Sequence, residues 1–283
     1  MRYACRHLPL AIIILLAGAC LWYGPIAQLP SYHLFAEQQT VHGIPHFSDV
    51  ISNIGFALVA LWGFCVLAKR NRHPSLVSGW AGYRLFLVGL FLTALGSGYY
   101  HWEPNNTSLV FDRLPIALAC GGLLAGVWGD VKGKSSALLT TWLSLIAVYS
   151  VAWWYITELF GKGDLRPYLM FQVLPMLLIP LWQWLYQSPA ADRLSFGAAL
   201  LLYALAKLAE IHDHEIAYAS GLLTGHTLKH LLATLAAAVI VVRLVCRTRA
   251  IKKEDSFMPV TKKSATRTTR TDKAGGDNRV IAF

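Results

Sequence analysis

The sequence is poor in charged residues, which make up only 14% of its 283 positions. A soluble globular domain typically has about 25%. Hydrophobic residues reach 55%, which is too many for a chain that is disordered throughout. The composition therefore argues against a soluble enzyme and favours an integral membrane protein.

Acidic residues are also scarce, with 15 of them against 25 Lys and Arg, so the formal net charge is +10. On a soluble protein such an excess would suggest a nucleic-acid partner. Eleven of the basic residues lie between Arg243 and the C-terminus, and the rest of the chain carries a net charge of only +3. We therefore predict a basic, disordered cytoplasmic tail at 248–283 that faces anionic lipid, and no nucleic-acid partner.

Long apolar runs are abundant. A membrane helix needs about 20 mostly apolar residues, and the pattern predicts eight such segments. Their approximate limits are 8–24, 48–68, 82–101, 109–128, 136–157, 168–187, 194–211 and 222–245. The connecting loops are short, so we predict an all-α integral membrane fold. A seven-helix membrane domain at 25–247 follows one additional N-terminal helix at 1–24.

The Lys and Arg residues of the short loops indicate the topology. The basic loops at 69–72 and 132–134 fall on the same side as the basic tail, and only Lys162 and Arg166 break the pattern. The opposite segments contain no Lys or Arg: 25–47, 102–108 and 212–225. Both termini are therefore predicted to be cytoplasmic. Without a eukaryotic retention signal, we expect a bacterial inner membrane whose outer side faces the periplasm, and a luminal site in a eukaryote is the alternative.

Residues 1–24 also fit a second interpretation. They combine a charged start, an apolar run and small residues near Cys20, which is typical of a signal peptide. Cleavage would leave seven spans with the same loops facing outward. The five cysteines show no paired spacing, so structural disulfides and a cysteine-based zinc site are not expected.

Histidine is concentrated on the predicted outer side, where eight of the ten histidines lie at or beyond span ends. Ionisable residues inside membrane spans are costly and usually functional. Ser97 and His101 share a helix face near the end of one span, and Asp112 begins the next. His226 and His230 share a face at the start of the last span.

These side chains suit a metal site. A helical His-x-x-x-His pair offers two imidazoles, and His101 from a neighbouring span would be a third ligand, as in catalytic zinc sites with an open position. Asp112 could act as a general base, and Ser97 could orient a ligand or donate to an oxyanion. Histidine pairs with this spacing also bind haem, so a haem protein and a transporter stay open as alternatives.

The combination of motifs resembles the alkaline ceramidase family, which belongs to a wider group of seven-span membrane hydrolases that includes the adiponectin and progestin receptors. The shared elements are Ser-x-x-x-His ending at His101, an Asp at position 112, and His-x-x-x-His at 226–230. Asp49-Val50-Ile51-Ser52-Asn53 is similar to the family's first-span Asn-Thr-x-Ser-Asn motif. The resemblance covers about 24–245, and spans two to eight correspond to the family's seven helices.

The resemblance implies that Zn²⁺ is bound by His101, His226 and His230, with Asp112 and Ser97 assisting the attacking water. It implies a membrane metallo-amidase that hydrolyses the amide C–N bond of a ceramide-like lipid to a sphingoid base and a fatty acid. Five further residues are predicted to contact substrate: Asp49, Ser52, Asn53, Tyr100 and Arg113. The alternative function is a membrane receptor or sensor that keeps the metal without turnover.

The sequence departs from the family in two places. The family's Ca²⁺ site consists of acids and an Asn before the first core span. Here only Glu37 is a candidate ligand, and His46 stands where a further acid is expected, so a complete Ca²⁺ site is not predicted. Arg113 replaces the acid that follows the family's Asp. The acid- and histidine-rich segment 210–215 could recognise a lipid headgroup, but we favour a solvated turn.

Overall fold

The computed structural model describes residues 4–255. Within this range the chain forms helices and no strand, apart from one isolated bridge between Val41 and Ile44. The α-helices are α1 (Leu8–Tyr23), α2 (Phe47–Ser52), α3 (Ile54–Leu67), α4 (Trp80–Trp102), α5 (Asn106–Lys132), α6 (Ala137–Leu159), α7 (Arg166–Leu185), α8 (Ala190–Ile211), α9 (Asp213–Ser220) and α10 (Gly225–Asp255). Short 3₁₀ helices cover Ala4–His7, Pro30–His33 and Ala68–Arg70.

Seven helical segments of the described chain are long and apolar enough to cross a membrane. They are α4 to α8, the first part of α10, and one segment, Phe47–Arg70, that joins α2 and α3. Their limits agree with the seven predicted core spans to within a few residues. The predicted all-α membrane fold is therefore confirmed.

The additional N-terminal helix is present as α1, but it is shorter than each of the seven segments that could span a membrane. Its 16 residues extend about 24 Å at 1.5 Å per residue, less than the roughly 30 Å of a hydrocarbon core. It packs against α7. Its tether is Arg166, whose Nη1 donates to the carbonyl oxygen of Cys20 at 3.0 Å.

Asp164, in the loop before α7, holds Arg166 in this position through an ion pair. Burial would raise the pKa of its carboxyl, but hydrogen bonds from Arg166 and Trp153 outweigh burial and lower the pKa to about 2. The same carboxylate accepts from the backbone N–H of Ile26 at 3.4 Å. An ionised Asp164 thus joins the segment after α1 to the bundle.

The seven spans form a ring in which consecutive helices pack against each other. The pairs α3–α4, α4–α5, α5–α6, α6–α7, α7–α8 and α8–α10 are all in contact, and α3–α10 closes the ring. α5 also packs against α7, so it contacts three of the other spans. Large apolar side chains such as Leu58, Leu95 and Trp142 remain exposed on the outside, as expected for surfaces that contact lipid tails.

Three glycines spaced seven residues apart allow α4 and α5 to approach closely. A Cβ on Gly82 or Gly96 would collide with the α5 backbone, and one on Gly89 would lie 2.7 Å from the amide nitrogen of Ala119. Gly96 meets the carbonyl oxygen of Phe111. Small residues at such positions are the usual means of close packing between membrane helices. Because Ser97 and Asp112 are the next residues along the chain, this contact also determines where they meet.

We expect Gly96→Ala to disturb both stability and the position of Ser97. The added methyl group cannot avoid the backbone oxygen of Phe111, and overpacking of this kind typically costs about 1–3 kcal/mol. Thermal unfolding in detergent should show a lowered midpoint. Gly98→Ala is the matched control, since its Cβ has only the Val50 carbonyl oxygen within 4.0 Å. Equal stability of the two variants would contradict the proposed close packing.

The end of the bundle opposite the histidines is held by ion pairs. Arg247 Nη1 donates to Asp130 Oδ2 at 2.7 Å, and Arg243 Nε donates to Asp192 Oδ1 at 2.7 Å. α10 continues to Asp255, so the helix enters the segment predicted as the tail. The remainder of that predicted disordered tail, 256–283, lies outside the described residues.

Candidate metal centre and adjoining cavity

Three buried histidines meet at one end of the bundle, which we call the site end. His101 comes from α4, and His226 and His230 come from the first turns of α10. One ligand nitrogen from each lies within 4.8 Å of the other two. The ring centroids are 4.7 to 5.0 Å apart. The structure therefore brings together all three predicted ligands.

The beginning of α10 is fixed by side-chain acceptors. The backbone N–H of His226 donates to Asp213 Oδ1 at 2.7 Å, and the backbone N–H of Thr227 donates to Thr224 Oγ1 at 3.1 Å. The first N–H groups of a helix have no intrahelical acceptor, so such contacts stabilise its start. Asp213 also accepts from the backbone N–H of Ala36 at 2.9 Å, which attaches the loop before α2 to the same point.

The Asp49–Asn53 motif holds α10 from the other side. Thr227 Oγ1 donates to Asp49 Oδ1 at 2.6 Å, and Ser52 Oγ lies 2.8 Å from His230 Nδ1. Because the Ser52 hydroxyl donates to the Asp49 carbonyl oxygen at 3.0 Å, it is placed to accept from Nδ1–H of His230. That arrangement leaves the Nε2 lone pair of His230 free for a metal, as in other metal-bound histidines.

We expect Ser52→Ala to weaken metal binding without removing a ligand. Loss of such a partner typically reduces metal affinity by about 10–100-fold, because the imidazole is no longer held in one tautomer and orientation. Metal affinity can be measured by competition with a chelator of known affinity. Ser144→Ala is the control, since the Ser144 hydroxyl bonds only within α6, to the Thr140 carbonyl oxygen. Unchanged affinity in Ser52→Ala would contradict the assigned role.

His101 carries an unmet hydrogen-bonding group. Its Nδ1 is buried and has no hydrogen-bond partner in the described structure. The Phe35 ring packs over the cluster, with its centroid 4.6 Å from that of His101 and 4.8 Å from that of His226. Three buried, convergent imidazoles, one of which has an unsatisfied nitrogen, fit a divalent transition metal, and zinc is among those that prefer such ligands.

A cavity of about 570 Å³ opens beside the cluster. His230, Ser97 and Asp112 lie in its wall at the site end. Most of its remaining wall is apolar and extends between the helices, as far as Phe196 on α8 and Ile240 on α10. Its size lies within the range of small-molecule sites, about 300–1,000 Å³. The cavity therefore combines a polar end with a long apolar body.

Ser97 and Asp112 face each other across the α4–α5 contact. Both are buried, and both line the cavity. Asp112 and His230 line the same cavity. A carboxylate beside the histidine cluster could accept a proton from a nearby water molecule, and the Ser97 hydroxyl could orient it.

A group of three charged residues forms the other side of the polar end. Glu210 accepts from Lys207 at 2.7 Å and from Lys229 at 2.6 Å. Lys229 Nζ also lies 3.2 Å from His226 Nε2. A metal bound through Nε2 would displace Lys229 from this contact, and one bound through Nδ1 would leave Nε2 protonated and unable to accept from Lys229.

Segment 210–215 only partly matches the solvated turn that the sequence predicts. Glu210 is ion-paired at the cavity, and Asp213 is buried at the start of α10, so these two acids do not belong to a solvated turn. His212, His214 and Glu215 are exposed, as that interpretation expected. The i,i+3 spacing of Lys207 and Glu210 in an apolar span was the available signal for an intramembrane ion pair.

The predicted substrate contacts separate into two groups. Arg113 lines the cavity. Asp49, Ser52, Asn53 and Tyr100 are not in its wall, and they bond elsewhere. Asn53 donates to the Asp49 carbonyl oxygen at 2.7 Å, and the Tyr100 hydroxyl lies 2.9 Å from His33 Nδ1. For these four residues, contact with substrate stays a prediction, and the structure shows bonds within the protein.

Glu37, the candidate Ca²⁺ ligand, is buried near the same end. Its Oε1 accepts from the backbone N–H of Gln39 at 2.7 Å, and its carbonyl oxygen contacts His46 Nδ1. Among the described residues, the three histidines form the one group of metal-ligating side chains at metal-binding separation. Glu37 is thus engaged in holding the loop before α2.

Comparison of the chain with protein-family models and with curated proteins found no match. The fold and the histidine cluster define a multi-pass helical membrane protein with a candidate metal site. The ceramidase resemblance therefore depends on the motifs of the chain itself.

Proposed function

We propose that the protein is a metal-dependent hydrolase that cleaves the amide bond of a ceramide-like lipid to a sphingoid base and a fatty acid. The observation that carries this proposal is one juxtaposition. His230, one of three clustered and buried histidines, lines the same largely apolar cavity between membrane helices as the carboxylate of Asp112. The ceramidase-like motifs supply the reaction type.

The cavity suits a lipid with its reactive bond near the site end. An acyl chain would lie along the apolar walls formed by residues such as Leu90, Ile179 and Ile240, while the amide would reach His230 and Asp112. Burial of a chain in this way contributes about 0.8 kcal/mol per CH₂ group. The apolar body thus supports binding, and the polar end supports chemistry.

His101, His226 and His230 would hold the metal, which we propose to be zinc. When bound, zinc supplies Lewis-acid polarisation of a carbonyl and lowers the pKa of a coordinated water. Asp112 accepts a proton from the attacking water, and the water oxygen bonds to the amide carbonyl carbon. Asp112 then donates that proton to the nitrogen as the C–N bond breaks, which gives a carboxylic acid and an amine. The Ser97 hydroxyl orients the carboxylate.

We propose a bacterial inner membrane, with the site end facing the periplasm. The site end holds the segments without Lys and Arg that the topology rule places outside, while Lys69, Arg70 and the tail-proximal Arg243 and Arg247 lie at the other end. This distribution follows the tendency of basic residues to remain cytoplasmic.

The test is metal analysis of the purified chain combined with a hydrolysis assay on ceramide and simpler lipid amides. We expect about one zinc ion per chain and release of free fatty acid. A chelator should stop the release, and added zinc should restore it. Zinc without turnover on any acyl amide would instead select a receptor or sensor with a structural metal. Absence of both metal and turnover would contradict the proposal outright.

A further inference from the structure

Arg113 is a buried cation enclosed by aromatic rings. It follows Asp112 on α5, and only 3% of its surface is exposed. Its guanidinium carbon lies 4.0 Å from the ring centroid of Trp154 and 5.2 Å from those of Tyr32 and Tyr168. Stacking of this kind holds the guanidinium plane in a fixed orientation. Arg113 is therefore positioned, although no acid at the site pairs with it.

Arg113 is more deeply buried than the cations that have an acidic partner, and it has none. Arg243, Arg247, Lys207 and Lys229 each form an ion pair with a carboxylate. Arg113 forms none within 4.0 Å among the described residues, and its one hydrogen bond runs from Nη2 to Gln28 Oε1 at 2.6 Å. Its Nε and Nη1 are buried without an acceptor. Buried charges in proteins are normally paired.

Two neighbouring side chains carry further N–H donors that lack an acceptor. Gln28 Nε2 and Trp154 Nε1 are also buried without a hydrogen-bond partner in the described structure. The Gln28 amide is oriented by its oxygen, which accepts from Arg113, so its nitrogen is the free atom. Around Arg113 the unmet groups are thus all N–H donors, which an acceptor with several lone pairs would satisfy.

The charges in the cavity wall also favour an anionic ligand. The wall contains three cations, Arg113, Lys207 and Lys229, and two anions, Asp112 and Glu210. Glu210 is shared by the two lysines, and Asp112 is needed beside the histidines. An anionic group supplied by a ligand would balance the remaining charge, and a guanidinium binds planar or tetrahedral oxyanions through two parallel N–H groups.

We infer that Arg113, with Gln28, binds an oxyanion of the ligand, a carboxylate or a phosphate. This inference rests on the proposed function, and it specifies that the ceramide-like lipid amide carries an acidic group. The acidic group would lie near Tyr32 and Tyr168 while the amide reaches Asp112. Arg113 is thus a specificity-determining residue of the cavity.

Three amides with the same oleoyl chain test the inference by titration calorimetry on the full chain in a neutral detergent. They are N-oleoylglycine, N-oleoylethanolamine phosphate and the neutral N-oleoylethanolamine. We expect at least one anionic amide to bind tenfold or more tightly than the neutral one. The stronger of the two anionic ligands distinguishes a carboxylate from a phosphate site. Arg113→Gln should remove the preference, and Arg113→Lys should retain part of it.

Arg193→Gln is the matched control, because it removes the same charge from an exposed arginine and should leave the preference unchanged. Binding of all three amides within threefold of each other to the wild-type chain would overturn the inference, as would a preference that survives in Arg113→Gln. If Arg113→Gln does not fold, the inference is tested by comparing the three amides on the wild-type chain and on Arg113→Lys. Hydrolysis is scored separately, so selective binding without cleavage would refute the hydrolase and leave the oxyanion site intact.

Discussion

His230→Ala is expected to abolish both metal binding and hydrolysis while the bundle remains folded. His230 is held in orientation by the contact of its Nδ1 with Ser52, and it also lines the cavity. Loss of an outer-shell partner alone typically lowers metal affinity by about 10–100-fold, so loss of a ligand should exceed that range. Two histidines cannot provide the three protein ligands of a catalytic zinc site.

The measurements are zinc content by mass spectrometry and fatty-acid release from a lipid amide. His212→Ala is the control, because His212 is exposed and follows the last residue of α8. It should keep the metal and full turnover. A His230→Ala variant that hydrolyses the amide at the wild-type rate would exclude the metal from the reaction. Loss of turnover with zinc retained would move the ligand assignment away from His230.

The three histidines could be predicted from the sequence because their arrangement depends on helix periodicity. His226 and His230 are one turn apart, so any helix through them places both imidazoles on one face. His101 required only the expectation that the end of α4 and the beginning of α10 lie at the same membrane face. The spans themselves followed from apolar length, which the membrane thickness constrains closely.

The surroundings of Arg113 could not be predicted in this way. Trp154 lies on α6, Tyr168 on α7, and Gln28 and Tyr32 in the segment after α1. No local periodicity links these positions, and their meeting depends on the order of helices around the ring. In the sequence, Arg113 was recognisable only as a departure from the family motif. Its unpaired donors became apparent once the side chains that surround it were placed together.

The same limitation applies to the Asp49–Asn53 motif. Its likeness to a family signature suggested contact with substrate, but the motif bonds to Thr227 and His230 on α10. Motif similarity identifies residues near a site. It does not distinguish a side chain in the cavity wall from one that hydrogen-bonds to a metal-binding histidine. The distinction required the contact of α2 with α10, two helices separated by most of the chain.

Asp112→Asn is expected to reduce kcat by about 10²–10⁴-fold, the usual contribution of a general acid–base group, with the metal retained. The amide is nearly the same size as the carboxylate but cannot take the proton of the attacking water. The buried position of Asp112 beside the cavity, next to Ser97, leaves no other carboxylate with the same access, since Glu210 is held between two lysines.

Steady-state kinetics on a lipid amide, together with zinc content, will separate this role from a structural one. A proton-transfer role lowers kcat with little change in KM, whereas displacement of α5 would raise KM and lower the thermal midpoint. Glu103→Gln is the control, because Glu103 is an exposed carboxylate at the same end of the bundle. If Asp112→Asn kept more than a tenth of the wild-type kcat with its metal in place, the proton would have to be transferred by another group, and Lys229 beside His226 would be the next residue to replace.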